Sequence, residues 1–407
     1  MHVPMPAMRS ATVMVYIGLG SRFEPPRDAG VSHLLEHMLF KGTLRRRTAA
    51  DISATLDGVG GILNGSTDKE ATVYWAKVAH EYLPLAVDLL ADMLRNSRLA
   101  PADVTKEKRV VLEELSMIAD DPQDWVHTLT DEVLWPDQPL GREVAGTPES
   151  VRRLRRREVC RYFEGYYGAN NAVISVAGGT DFDTLQDLVG QHFGDWAAAI
   201  PGEPVGAFEP IHGSPRFRVE HKETEQVNIC LAYPGIPRNH PDQWAMDLLC
   251  TILGGGTSSR LFIQLRERMA LVYDVHAYPT YFHDTGSVVV YSGMERSRTD
   301  SALDGILREI DRLQRRRVPD SELQRAKQYY RGRLSLGLED SHAVASWFGS
   351  QEMLQHEVVT PEAAADAVCH VTSDDLLRVA RTYLTLNRVR FAAVGPVAHS
   401  ALEARLT

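Results

Sequence analysis

The segment from His33 to His37 reads His-Leu-Leu-Glu-His, and its residue types and spacing suit metal chemistry. The surrounding apolar pattern predicts a helix from Val31 to Phe40, closed by Gly42. Two histidines four positions apart lie about one turn apart on the same helical face. That geometry fits a single Zn²⁺, which binds imidazole nitrogens at about 2.0–2.1 Å. Glu36 lies beside them, placed to hold a water molecule at the metal rather than to bind the metal itself.

The alternative interpretation is an amphipathic helix with two ordinary histidines, because so short a pattern also arises by chance. A third ligand would decide between the two, and a second predicted helix, from Pro101 to Asp120, offers candidates. Glu107 and Glu114 are seven positions apart and therefore share one face of that helix. Glu113 falls off this face and is interpreted as a solvated side chain. Without a metal, the whole helix would be a solvated acidic one.

The two motifs together resemble the pitrilysin-type zinc peptidases, family M16. The family pattern is His-x-x-Glu-His, then 76 residues, then Glu, and from His37 that count leads to Glu114. The family also has an acidic residue seven positions earlier, which here is Glu107. The runs 33–43 and 60–67 are similar to the family as well, as are the residues that follow the second run, Glu70, Thr72 and Tyr74. The resemblance covers nearly the whole chain.

The resemblance implies a zinc-dependent endopeptidase that acts on extended or unfolded peptides. The implied Zn²⁺ ligands are His33, His37 and Glu114, which leave the fourth position for water. Glu36 is the implied general base, which takes the proton of that water and passes it to the leaving amine. Glu107 is expected to orient a ligand or the water from behind the ligands.

Two further pairs are expected to bind substrate. Asn64 and Gly65 lie on a candidate edge strand, where a peptide could add as another strand. Arg266 and Tyr273, seven apart, resemble a family pair that reaches the substrate backbone near the zinc. Arg offers planar hydrogen bonding to carbonyls, and Tyr can donate to a developing oxyanion. Taken alone, Arg266 would be interpreted as a surface arginine and Tyr273 as a core tyrosine. The preceding glycines, 254–256, lack a Walker pattern, so a phosphate-binding loop is not favoured.

Composition narrows the class of protein. The chain has 407 residues, of which 44% are hydrophobic and 24% charged, as in ordinary globular proteins. The net charge of −10 argues against a nucleic-acid partner. Clusters at 45–47 and 152–157 are rich in arginine but have no interleaved aromatic residues, so solvated faces are favoured. Four scattered cysteines form no Cys-x-x-Cys pair. No signal peptide and no membrane span is recognised, and a cytoplasmic protein is expected.

The chain also looks duplicated. Residues 11–18 lead into the histidine helix, and residues 227–235 lead into a helix at the matching place in the second half. Aligning Gly42 with Gly256 sets Asp247, Cys250 and Thr251 opposite the three motif residues, so the second half has lost the ligands.

The predicted fold class is therefore α+β, with two homologous domains, each a mainly antiparallel sheet with helices packed on it. The resemblance implies a clamshell arrangement of the two. A catalytic zinc-binding domain is assigned to 1–200, a Pro- and Gly-rich linker to 201–216, and a degenerate substrate-binding repeat to 217–407. Related chains usually open with one more strand than precedes Pro4 here, which leaves open a late start or a missing edge strand.

Two other functions stay open at this stage. Some relatives are non-catalytic scaffold subunits, but those normally lose ligands from the motif. Others are halves of heteromeric peptidases whose partner supplies the Arg and Tyr. This chain carries both the motif ligands and the Arg and Tyr, which favours a homodimer over a heterodimer with a homologous subunit. The sequence does not name the physiological substrate, nor does it separate general peptide turnover from maturation of one product.

Overall fold

The computed structural model describes residues 1–200, 208 and 217–397. The chain divides into two compact units. Unit 1 consists of Met1–Ser116, Arg142–Gly206 and Leu336–Val359, and unit 2 of Met117–Gly141, Ala207–Ser335 and Thr360–Thr407. The predicted linker, 201–216, lies outside the described residues except for residue 208.

Unit 1 is built on a five-stranded sheet. Its strands are β1 (His2–Pro4), β2 (Ser10–Ile17), β3 (Ile62–Thr67), β4 (Thr72–Ala79) and β5 (Ala172–Gly178). Their order is β1-β5-β2-β4-β3, with β1 parallel to β5 and every other pair antiparallel. The short β1 and the strand β3 are the two edges of this sheet.

Unit 2 has a sheet of the same design. Its strands are β6 (Phe217–His221), β7 (Gln226–Pro234), β8 (Val272–Tyr281), β9 (Gly286–Glu295) and β10 (Arg390–Gly395). The order β6-β10-β7-β9-β8 repeats that of the first sheet strand for strand, including one parallel pair at the same edge. The predicted duplication and the α+β class are therefore confirmed.

Fourteen α-helices accompany these strands in the described ranges. In chain order they are α1 Val31–Leu39, α2 Ala49–Asp57, α3 Leu83–Asn96, α4 Pro101–Asp120, α5 Pro122–Leu134, α6 Pro148–Arg153, α7 Arg156–Tyr166, α8 Phe182–Phe193, α9 Gln243–Gly254, α10 Thr299–Arg315, α11 Asp320–Gly337, α12 Ser341–Gln355, α13 Pro361–His370 and α14 Ser373–Tyr383. None of those helices is both long enough and apolar enough to cross a bilayer.

The compact units differ from the contiguous halves expected from the sequence, because each contains one helix from the other half. Helix α12 packs on β2 and β5 of unit 1, and α5 packs on β7 and β10 of unit 2. The reason is visible in β2, which is buried on both faces. Val13 and Val15 belong to the main core, whereas Met14 and Tyr16 pack with residues of α12. A sheet that is apolar on both faces needs a cover on each.

Candidate metal centre

Helix α1 places the two motif histidines beside each other. Its buried residues, Leu34, Leu35, Met38 and Leu39 among them, anchor the helix in the core of unit 1. His33 and His37 lie on another side of the helix and are half-buried. Their ring centroids are 4.7 Å apart, as the four-residue spacing predicts.

The first turn of α1 is capped by a side chain that lies outside the helix. The N-cap residue, Gly30, has φ 89° and no side chain to offer. Instead, the buried Glu24 carboxylate accepts hydrogen bonds from the backbone N–H groups of Gly30 and Ser32, each at 2.7 Å. Burial raises the pKa of Glu24 to about 7, although the N–H donors and the nearby Arg142 act in the opposite direction. Glu24 was not among the residues that the sequence pattern singled out, because this capping contact spans a loop.

Helix α4 brings the third candidate ligand. Oε2 of Glu114 lies 4.0 Å from Nε2 of His33 and 3.6 Å from Nε2 of His37. In the described part of the chain, these three residues are the one group of three or more His, Cys, Asp or Glu whose ligand atoms converge, all within 4.8 Å. Glu113 is exposed, as expected.

The residues present fit a zinc ion. Oε2 of Glu114 is buried and has no hydrogen-bond partner among the described residues, and its distances to the two imidazoles are too long for direct hydrogen bonds. Such an atom calls for a cation, since a buried carboxylate oxygen without a partner is costly. Burial, helped by the charge of His37, lowers the pKa of His33 to about 4. The imidazole of His33 is therefore neutral near pH 7, which is the form that binds metal. Two nitrogens and one oxygen make a common donor set for catalytic zinc.

Glu107 is not one of the candidate ligands but contacts one of them, His37. Its side chain is buried, and Oε2 lies 3.4 Å from Nδ1 of His37 and 3.0 Å from Nζ of Lys41. A carboxylate at Nδ1 favours the tautomer whose Nε2 is free for a metal, and it fixes the plane of the ring. Lys41 holds that carboxylate in place and was not predicted from the sequence.

Glu36 is turned toward the sheet, outside the converging trio. Thr67 of β3 donates a hydrogen bond from Oγ1 to Oε2 of Glu36 at 2.6 Å. Burial raises the pKa of Glu36, while the Thr67 hydrogen bond opposes the rise. A carboxylate with a raised pKa is better matched to proton transfer near pH 7. Because Gly65 and Thr67 are two apart on β3, they share a face, so strand alternation was the signal that could have identified Thr67.

The strand that carries Asn64 and Gly65 is an edge of its sheet, because β4 is the one strand among the described residues that pairs with β3. Gly65 packs closely on the helix: a Cβ there would lie 3.2 Å from Cγ of Glu36 and 3.2 Å from the Phe40 ring. Asn64 is exposed, and its Oδ1 accepts a hydrogen bond from the Gly65 N–H at 2.9 Å. That N–H therefore has a side-chain acceptor on its own strand.

Arg266 and Tyr273 belong to unit 2. Arg266 lies in a π-helical turn, Phe262–Arg268, with its guanidinium 4.9 Å from the centroid of the Phe262 ring. Tyr273 is 61% exposed and sits at a β-bulge where the register between β8 and β9 shifts. It is not the core tyrosine of the alternative interpretation. A β-bulge changes the direction of the side chain that it carries.

The counterpart of the histidine helix in unit 2 holds no ligand trio. Asp247 on α9 is a partner of Tyr281, whose hydroxyl donates to its Oδ1 at 2.6 Å. Burial raises the pKa of Asp247 to about 6. Cys250 is buried in the core, and Thr251 donates to the backbone oxygen of Asp247 at 2.8 Å. These contacts are packing contacts, in line with the loss of ligands predicted for this half.

Comparison with known proteins identifies the family. Residues 4–148 match a family model described as insulinase (peptidase family M16), and residues 153–330 match one described as the M16 inactive domain. An uncharacterised zinc protease of Streptomyces coelicolor is 36% identical over 398 residues, covering 97% of this chain and 86% of that protein. One of Bacillus subtilis is 35% identical over 349 residues, covering 86% and 84%. The chain belongs to the M16 peptidase family.

Solved structures agree with the fold. A protease from Helicobacter pylori superposes with a TM-score of 0.92 at 23% identity, covering 97% of this chain and 96% of that one. A chain of Complex III2 from Candida albicans superposes with a TM-score of 0.83 at 20% identity, covering 100% and 96%. At these identities the likeness concerns the fold alone.

Proposed function

We propose that this chain is a zinc-dependent endopeptidase that cuts extended or unfolded peptides. The observation that carries the proposal is the convergence of His33, His37 and Glu114 around one point, with Glu36 on the same helix as the histidines but outside the trio. The same arrangement is expected of a metal site that keeps one position open for chemistry. The zinc proteases among the relatives support the choice of metal.

His33, His37 and Glu114 would hold the Zn²⁺, which would supply a Lewis acid for the scissile carbonyl and for a water molecule. Glu36 accepts the proton of the attacking water and delivers it to the leaving amine. Thr67 holds one oxygen of Glu36, which leaves the other for that proton. Glu107 fixes the ring of His37 through Nδ1.

The edge strand β3 is proposed to hold the substrate as an added strand beside Gly65. The Asn64 amide must then leave the Gly65 N–H so that a substrate carbonyl can take its place. Strand addition needs substrate backbone groups that are not already paired. Folded domains should therefore be spared, because opening them costs several kcal/mol.

Arg266 and Tyr273 are proposed to contact the substrate on the strength of the family resemblance. Tyr273 has the exposure such a role requires. We propose a homodimer because the chain carries both the metal ligands and the pair Arg266 and Tyr273. Sedimentation of the purified chain tests this proposal. If the chain needs a homologous partner instead, it will be inactive alone and regain activity when that partner is added.

The decisive experiment compares the wild type with Glu36→Gln on a library of unstructured peptides. The variant should keep its zinc but turn over at least about 10²-fold more slowly, as expected when a general base is lost. Glu113→Gln is the matched control, since this exposed glutamate sits next to a ligand on α4 and should change neither quantity. Loss of zinc from Glu36→Gln would make Glu36 a ligand and overturn the assignment.

A second comparison tests the substrate class. A chelator should abolish cleavage and added Zn²⁺ should restore it. A folded domain and the same sequence in unfolded form are then digested side by side. Equal rates on both would contradict strand addition while leaving the metal chemistry in place. A chain that binds zinc but cuts no peptide, alone or with a partner, would be a scaffold subunit.

A further inference from the structure

A cavity of about 380 Å³ in unit 1 lies apart from the metal ligands and has an unusual lining. Four of its seven lining residues are arginines, namely Arg27, Arg153, Arg157 and Arg161. The other three are two acidic residues and Leu154. The formal charge of the lining is therefore +2, in a chain whose net charge is −10.

The two acidic residues hold arginines in place. Asp28 is 4% exposed, and its Oδ2 accepts from Nη2 of Arg161 at 2.5 Å. Glu158 is 8% exposed, and its Oε1 accepts from Nε of Arg157 at 2.5 Å. A guanidinium that is already fixed loses less conformational freedom when a ligand binds. The two carboxylates therefore orient arginine side chains that remain largely exposed, 76% for Arg157 and 52% for Arg161.

Donors remain available on these arginine side chains. Each guanidinium has five N–H groups, and the two contacts above use one from each of Arg157 and Arg161. Arg27 approaches Asp28 only at 3.6 Å. Arg153 forms no ion pair and no side-chain hydrogen bond with residues of the described ranges. The carboxylates thus organise the arginines without neutralising the cavity.

The position of the cavity in the fold also favours an anion. Its lining comes from the turn that precedes α1, the end of α6 and the first two turns of α7, where Arg157 is the second residue. The N-terminus of a helix attracts negative charge. No β-strand contributes to the lining, so a peptide would find no strand edge to pair with. One leucine among seven residues offers little apolar contact.

We infer that this cavity binds a small phosphate-bearing anion, either inorganic phosphate or a phosphate monoester. The planar fork of Arg matches phosphate oxygens in a two-point contact, which a Lys would not provide. The volume lies near the lower end of the range for small-molecule sites, about 300–1,000 Å³, and so accommodates a phosphate with a sugar-sized group. This site does not depend on the proposed peptidase activity.

The test is calorimetric titration of the full chain with inorganic phosphate and, separately, with ribose 5-phosphate. Saturable binding of one ligand per chain is expected for at least one of them. The ligand that binds more tightly shows whether the cavity takes inorganic phosphate or a phosphate monoester. Arg153→Ala, which removes no ion pair or side-chain hydrogen bond with the described residues, and Arg157→Lys, which keeps the charge, should each weaken binding at least tenfold. Arg331→Ala, on the exposed face of α11 in unit 2, is the matched control and should leave binding unchanged.

Phosphate could also bind at a zinc ion, so the titration is repeated on His37→Ala. Binding that survives in this variant belongs to the arginine cavity, and binding that disappears overturns the inference. Equal weakening by Arg331→Ala would show non-specific charge attraction only, and would overturn it as well. So would tighter binding of an oligoglutamate peptide, because the site would then select carboxylates rather than phosphate.

Discussion

Replacing Glu24 by Gln should change the way in which the stability of the protein depends on pH. In the folded chain this carboxylate is buried and accepts N–H groups from Gly30 and Ser32 at the start of α1. Two effects compete there. Burial disfavours the charged form, whereas two N–H donors at a helix N-terminus favour it. The pKa of about 7 means that burial wins.

The magnitude follows from that pKa. It lies above the ordinary value of 4.5, and one pKa unit corresponds to about 1.36 kcal/mol. A carboxyl whose pKa rises on folding binds its proton more tightly in the folded state. Its contribution to stability is therefore complete below pH 4.5 and is lost as the pH rises through 7. Gln does not titrate. The free energy of unfolding of the wild type should thus fall relative to Glu24→Gln by roughly 3 kcal/mol across this window.

The assay is urea unfolding of both proteins at pH 5, 6, 7 and 8, in metal-free form so that zinc ligation does not contribute. The difference between the two proteins isolates one carboxyl, because all other titrating groups are common to both. Glu113→Gln, an exposed glutamate on α4, serves as control, and its difference from the wild type should stay nearly flat. A flat difference for Glu24→Gln, or a wild type that gains stability relative to the variant as the pH rises, would refute the reasoning. It would show that the two N–H donors outweigh burial.

Three further variants test the assignment of the site. His37→Ala should reduce zinc from one ion per chain to almost none by elemental analysis, since two ligands rarely hold zinc tightly, and retained zinc would contradict the ligand set. Gly65→Ala would place a Cβ 3.2 Å from Cγ of Glu36, so we expect kcat to fall about tenfold or more at unchanged zinc content. A fully active variant would mean that this contact is not needed. Tyr273→Phe should lower kcat by roughly 10²-fold if its hydroxyl meets the oxyanion, and Arg266→Ala should act mainly on KM. Unchanged kinetics in both would leave unit 2 without a part in the chemistry.

Much of the site was predictable because its residues depend on local geometry. A four-residue spacing on a helix brings His33 and His37 together wherever that helix packs. The seven-residue spacing likewise puts Glu107 and Glu114 on one face of α4. The duplication of the chain was also visible as a repeat of sequence patterns. The helical spacings arise within a few turns of chain and the duplication is a likeness between two segments, so the sequence carries both directly.

The surroundings of these residues were not predictable in the same way. Lys41 meets Glu107, Thr67 meets Glu36, and Glu24 caps α1 across loops, so each contact depends on how separate elements pack. No periodic pattern records which helix covers a given face of a sheet. For that reason the exchange of α5 and α12 between the halves emerged only from the structure.

The sequence by itself determined the donor types and spacing of the metal site and the two-fold repetition of the sheet. The tertiary structure alone decided that Glu114 meets both histidines within 4.0 Å while Glu36 turns to Thr67. It also decided that two arginines of a run that is solvated, as expected, line a cavity with Asp28 and Glu158. The physical reason is the distance along the sequence over which each effect acts. Helical and strand periodicities act over a few residues, whereas the protonation and pairing of a side chain depend on whichever distant segments fold against it.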